Sequence, residues 1–273
     1  MSLATCRRSL LALALMLPLA NALAQFDHQH KPFGLLLAKH VVLINDAKAS
    51  QVRYAGMARD RAALKAYLDT LSAVTEQELR SWSRAQRLAF LLNAYNAHMI
   101  ELVLTRYPDI QSVWDFGKVF NNPFKKRFFK LFGREHSLDM IEHETIRTKG
   151  VYDDPRIHFA VNCASIGCPM LREEAYTPDK LENQLEEQTR RFLADRSRNR
   201  YSPDANALEV SEIFKWYRED FEAGYKGIRS REQFFAKYAD LLAATPESQK
   251  AIRDQKAEIR PLDYDWRIND AKR

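Results

Sequence analysis

The residues with the most chemistry lie in one short stretch, His158-Phe159-Ala160-Val161-Asn162-Cys163-Ala164-Ser165-Ile166-Gly167-Cys168-Pro169-Met170-Leu171-Arg172. Small residues between the two sulfurs leave backbone N–H groups accessible, and Pro169 forces a turn, as in loops that carry nucleophiles or anion sites. Three chemistries fit. Cys163 and Cys168 can close a disulfide, the usual state of a cysteine pair in an oxidising compartment. Either sulfur can act as a thiolate nucleophile activated by a histidine, with backbone N–H groups of residues 164–167 as oxyanion donors. His158, Cys163 and Cys168 can also ligate zinc with a borrowed fourth ligand such as His143. The spacing H-x4-C-x4-C is not a familiar zinc pattern, so no metal and no cofactor are expected.

Strand alternation limits the thiolate reading. If residues 156–163 are extended, His158 and Asn162 face away from Cys163 and His143 becomes the expected base. Cys168 can approach either histidine, and His143, His158 and Arg172 are expected to line one pocket. His143 and Arg147 are four apart on a predicted helix and share a face. Arg172, just after the loop, is suited to bidentate binding of a carboxylate or phosphate, or else to a structural ion pair. Asn93 and Asn96 share the face of an almost wholly apolar helix, where each amide must find a partner. The simplest use is to clamp the backbone of an adjacent loop, here the cysteine loop.

The elements that must position these groups are marked by caps. Thr75 with Glu78, Ser83 with Gln86, and Ser230 with Gln233 have capping-box spacing. Thr177-Pro178 and Thr245-Pro246 set a hydroxyl before a proline, and Asp60 stands ready to cap the segment after it. The expected helices are 33–44, 61–73, 76–81, 84–106, 139–149, 178–194, 212–222, 231–243 and 246–255. Strands are expected at 128–132 and 134–138, a hairpin about Gly133, and at 156–162. Weaker strand signals cover 208–210 and 259–268, the last limited to an edge by Pro261. The polar stretch 195–205 reads as a long surface loop. The expected fold is α+β, mostly helical, with a buried central helix packed on a small antiparallel sheet.

The chain has 273 residues and a formal charge of +6. Residues 1–24 read as an export signal, with Arg7-Arg8, an apolar run from Ser9 to Ala20 and a cleavage pattern Ala22-Leu23-Ala24. The apolar run is shorter than the ~20 residues a membrane helix needs. Its removal leaves 273 − 24 = 249 residues, read as one globular domain, a net charge of +4 once Arg7 and Arg8 are gone, and two cysteines of three. The expected location is the periplasm or the exterior, with no transmembrane segment. The run Lys125-Lys126-Arg127 before Phe128 and Phe129 fits a strand edge with solvated lysines better than a nucleic-acid surface. The expected partner is a small molecule or a protein.

Taken together, Leu88-Ala-Phe-Leu-Leu-Asn-Ala-Tyr-Asn-Ala97, Ile141-Glu-His-Glu-Thr-Ile-Arg147 and His158 through Arg172 resemble the domain-of-unknown-function family numbered 547. Ile213-Phe-Lys-Trp-Tyr-Arg-Glu-Asp-Phe221 and Tyr264-Asp-Trp-Arg-Ile-Asn269 extend the resemblance from about Phe33 to Asn269. It implies no particular reaction. Its bacterial members carry export signals like the one read here, and its plant members, joined to a coiled-coil segment, imply protein interaction as one role. Asn93, Asn96, His143, Arg147, His158, Cys163, Cys168 and Arg172 match its recurrent positions. Papain-like enzymes, by contrast, open a buried helix with their nucleophile, whereas the buried helix here carries asparagines. The expected function is a thiol-dependent hydrolase or acyltransferase with Cys163 as nucleophile, acting on a carboxylate-bearing substrate. The alternative is a non-catalytic binding or scaffold module with a Cys163–Cys168 bridge.

Overall fold

In the computed structural model, residues 25–271 are described; the export signal expected at residues 1–24 lies outside them. The chain runs α1 (Lys31–His40), β1 (Val41–Ile44), β2 (Ala49–Val52), α2 (Tyr54–Arg59), α3 (Arg61–Ala73), α4 (Glu76–Ser81) and α5 (Arg84–Leu104). Then come β3 (Phe129–Leu131), β4 (Arg134–His136), α6 (Leu138–Ile141) and a π-helical turn at Glu142–Ile146. After a 3-10 turn at Pro155–Phe159 follow α7 (Leu181–Ala194), β5 (Asn199–Ser202), β6 (Ala207–Ser211), α8 (Ile213–Trp216) and α9 (Arg218–Glu222). The chain closes with α10 (Arg231–Lys237), α11 (Ala239–Leu242), α12 (Pro246–Arg253) and β7 (Glu258–Leu262). The fold is α+β and mostly helical. Among the described residues, no helix is long and apolar enough to cross a membrane.

Helix α5 is the centre of the larger apolar cluster, buried on nearly every side from Leu88 to Leu104. Its start is fixed by a reciprocal capping box between Ser83 and Gln86. The neighbours of α5 are mainly α3, α6, α2 and the π-helical turn, with the β3–β4 hairpin laid over it through His98, whose ring stacks 3.7 Å from Phe129. The expected single sheet is three small ones. Two are antiparallel pairs, and in the third β7 runs parallel to β6, which pairs antiparallel with β5. Pro261 does sit on an edge strand.

Five local expectations are corrected. The helix expected through residue 44 ends at His40, because Val41, Val42 and Ile44 are β-branched and pair with β2. Residues 195–205 contain β5 rather than loop alone. Thr177-Pro178 does not start α7, which begins at Leu181, and the Asp60 side chain pairs with Lys39 and His40 instead of capping α3. Most consequential, residues 156–162 are not a strand. Asp154 caps a 3-10 turn by accepting from the Arg156 N–H, and Pro155 supplies a helical φ at its first position. This compact turn divides its side chains. Phe159 joins a second apolar cluster with Phe192, Phe214, Phe221 and Phe234, while Ile157, Ala160 and Val161 join the one around α5.

Candidate active site

The turn at 155–159 and the loop after it are held by amides from α5. Asn96 donates to Ala160 O (2.9 Å) and accepts from Asn162 N–H (2.8 Å), so both of its polar groups are spent on backbone. Asn93 does the same for Tyr176, at 2.7 and 3.0 Å. Asn96 therefore supports the cysteine loop as expected, whereas Asn93 anchors the segment beyond it. Inside the loop, Asn162 donates to Pro169 O and accepts from Ala164 N–H. Ala164 is a non-glycine residue at φ +61°, a left-handed conformation that costs a β-carbon roughly 1–2 kcal/mol.

The C-terminal segment straps the outside of this loop. Ile166 N–H donates to Arg267 O, Gly167 N–H to Asp265 O, and Asn269 N–H to Ala164 O. A β-carbon on Gly167 would lie 2.9 Å from the Asp265 nitrogen, so only glycine permits this approach. These bonds remove three of the four expected oxyanion donors. The N–H groups of Ala164, Ile166 and Gly167 are already committed to protein oxygens, and that of Ser165 serves the Cys163 sulfur.

Cys163 and Cys168 are free thiols; no disulfide joins them. Cys163 is half-buried and Cys168 buried, with the Cys163 N–H donating to the Cys168 sulfur at 2.9 Å. Ser165 Oγ lies 3.0 Å and Tyr264 Oη 3.1 Å from Cys163 Sγ. Burial alone would raise the Cys163 pKa, but hydrogen bonding from Cys168, Ser165 and Tyr264 outweighs it and draws the thiol down to about 7. Burial and the neighbouring Cys163 push Cys168 the other way, well above the ordinary thiol range. Tyr264 is likewise pushed up by burial and the two sulfurs, so it stays protonated and donates.

Opposite the sulfurs stands an imidazole–carboxylate pair. His158, 2% exposed, meets Asp220 Oδ2 through Nε2 at 2.7 Å and stacks on Tyr217 at 3.8 Å. Burial lowers the His158 pKa, although Asp220 and Glu142 oppose the shift. Burial would raise Asp220, but hydrogen bonds from His158 and Arg147 prevail and bring it to about 2. Arg147 donates to Asp220 through Nε at 2.6 Å, covers the Tyr217 ring, and donates to His143 Nδ1. With Nδ1 engaged and Nε2 directed 3.6 Å toward Asp139, His143 is less available as a base than expected.

Both groups open on one pocket of about 180 Å³ that includes Glu142, His143, His158, Cys163 and Cys168, walled by Trp114, Trp216, Tyr217, Tyr264 and Trp266. The 3-10 turn is what makes this convergence possible. An extended 156–163 would have turned His158 away from Cys163, and that expectation is corrected. Arg172 does not reach the pocket. It is buried against α7, bonded to Glu174, Glu187 and Gln188, and the reason given for a carboxylate-bearing substrate goes with it. Among the described residues, no group of three or more His, Cys, Asp or Glu side chains could hold a metal ion.

Sequence reasoning assigned no role to Asp220, Tyr217 or Tyr264. Asp220 and Tyr217 stand in the segment Ile213–Phe221, and Tyr264 opens the closing segment quoted above, so the signal was a motif without a mechanism. Residues 79–193 match the family model described as protein of unknown function, DUF547. No curated protein and no solved structure matches the chain. The matched segment carries both cysteines, both histidines and Glu142, while Tyr217, Asp220 and Tyr264 lie C-terminal to it.

Proposed function

We propose that this chain, whose residues 79–193 are a DUF547 segment, is a thiol-dependent hydrolase or acyltransferase exported to the periplasm or beyond. The observation that carries the reading is a cysteine drawn down to about 7 that shares a small pocket with a carboxylate-oriented histidine. Cys163 is the nucleophile. His158, its tautomer fixed by Asp220, is the base, because Nε2–H donates to the carboxylate and Nδ1 is left as an acceptor. The thiol proton passes to Nδ1, the sulfur attacks the acyl carbon, and the Tyr264 and Ser165 hydroxyls are the donors nearest the developing oxyanion. Treatment with p-nitrophenyl butyrate should leave one butyryl group on Cys163, detectable by mass spectrometry. The adduct should vanish in Cys163→Ser and form about 10²–10⁴-fold more slowly in His158→Gln. An adduct on other residues, or acylation indifferent to Cys163→Ser, would rule the reading out.

The closeness of Cys163 N–H to the Cys168 sulfur favours a second reading, a binding or scaffold module in which the pair is bridged after export. Protein recovered from an oxidising compartment with no titratable thiol would select it.

A further inference from the structure

Two atoms on residues that line the pocket are buried without a partner. Glu142 Oε1 and His158 Nδ1 lie 3.8 Å apart, too far for a hydrogen bond, and neither has another hydrogen-bond partner. The residues are 5% and 2% exposed, and both line the pocket. With Nε2–H given to Asp220, Nδ1 of the neutral ring is an acceptor, and Glu142 Oε1 is an acceptor as well. Two acceptors cannot satisfy each other. A single group that offers two hydrogens to the gap between them would complete both. An unpaired buried acceptor costs ~1–3 kcal/mol, so the site gains from such a group.

The surroundings say which donor. The charged side chains lining the pocket beside the histidines are Asp139 and Glu142, and among the described residues no lysine or arginine lines it. The nearest guanidinium, Arg147, is neutralised by Asp220. Trp216, Tyr264 and Trp266 also line it, and aromatic rings attract a cation rather than an anion. The pocket is thus acidic and aromatic, with no lysine or arginine among its described lining residues.

We propose that Glu142 and His158 form a subsite for a primary ammonium group, and that the group leaving the acyl carbon is a primary amine. The second half rests on the thiol-enzyme reading; the first does not. In the step itself, the Cys163 thiolate forms a C–S bond to the amide carbonyl carbon and the C–N bond breaks. The departing nitrogen takes the proton that His158 Nδ1 had accepted from the thiol. The amine then takes up a solvent proton and rests as an ammonium ion between Nδ1 and Glu142 Oε1. Acyl transfer to an amine is the same step reversed.

The test uses the full chain and its Cys163→Ser variant, with n-butylammonium, n-butanol and tetramethylammonium as probes. Binding is read by tryptophan fluorescence, since three of the four tryptophans line the pocket, and by the His158 ring proton shifts. Butylammonium should saturate in both proteins, bind at least about tenfold more tightly than the other two, and weaken about tenfold in Glu142→Gln. Equal binding of tetramethylammonium, which has no N–H, would overturn the proposal, as would failure of butylammonium to saturate in the unaltered protein. Because Cys163→Ser retains the subsite, loss of acylation chemistry would leave the binding result standing. Conversely, intact acylation without butylammonium binding would sink this inference alone.

Discussion

Two sets of buried polar groups lie within the same core and are treated in opposite ways. The side chains of Asn93, Asn96 and Arg172 are all engaged. The asparagines each donate and accept one backbone hydrogen bond, and Arg172 is divided among Glu174, Glu187 and Gln188. Around Cys163, Glu142 and His158, by contrast, acceptors stand empty and a thiol is drawn toward ionisation. Buried amides that are satisfied specify the fold; buried acceptors left unsatisfied cost stability and are retained where a ligand or a reaction uses them. Polarity inside the core is therefore not one signal but two, separated by whether the hydrogen bonds close.

The largest effect that would sharpen this contrast is on the frame. Asn96→Ala leaves Ala160 O and Asn162 N–H buried and unpaired, and it should cost about 2–6 kcal/mol of unfolding free energy at ~1–3 per group. Chemical denaturation measures it, and a loss below about 1 kcal/mol would show that the clamp is dispensable. The smallest effect belongs to the pocket. In Glu142→Gln the unpartnered Oε1 has no hydrogen bond to lose, so stability should change by no more than about 1 kcal/mol. If Glu142→Gln proved as damaging as Asn96→Ala, the two sets would be alike and the comparison would fail.

Much of the frame was legible in the sequence because its signals are local. Ser83 with Gln86, Thr75 before Glu78, and the apolar wrap from Leu88 to Leu104 mark α4 and α5 from adjacent residues alone. The two asparagines announced themselves as polar residues with nowhere to go but a backbone. The site was legible only in part. Cys163, His158 and His143 were identified by type, but the alternation of Ile157, Phe159 and Val161 mimicked a strand, while Asp154-Pro155 carried the decisive signal for a turn. Asp220, Tyr217 and Tyr264 come from segments far downstream, and nothing in their local spacing says which loop they will face; Asp220 is 62 residues from His158. Arg172 was misread because a lone arginine does not disclose whether its carboxylates come from α7 or from a ligand.

The central claim is that Cys163 is a free, acidified thiol while Cys168, five residues on, is not. Its most direct test is the pH dependence of iodoacetamide alkylation on the native protein, with the modified sulfur identified by peptide mass spectrometry. Since the thiolate reacts, the rate at Cys163 should be low well below pH 7, pass half-maximum near the value of about 7, and level off above it. Cys168 should stay unmodified until the protein unfolds. A midpoint near the ordinary thiol value of roughly 8.5, or alkylation of Cys168 first, would contradict the account.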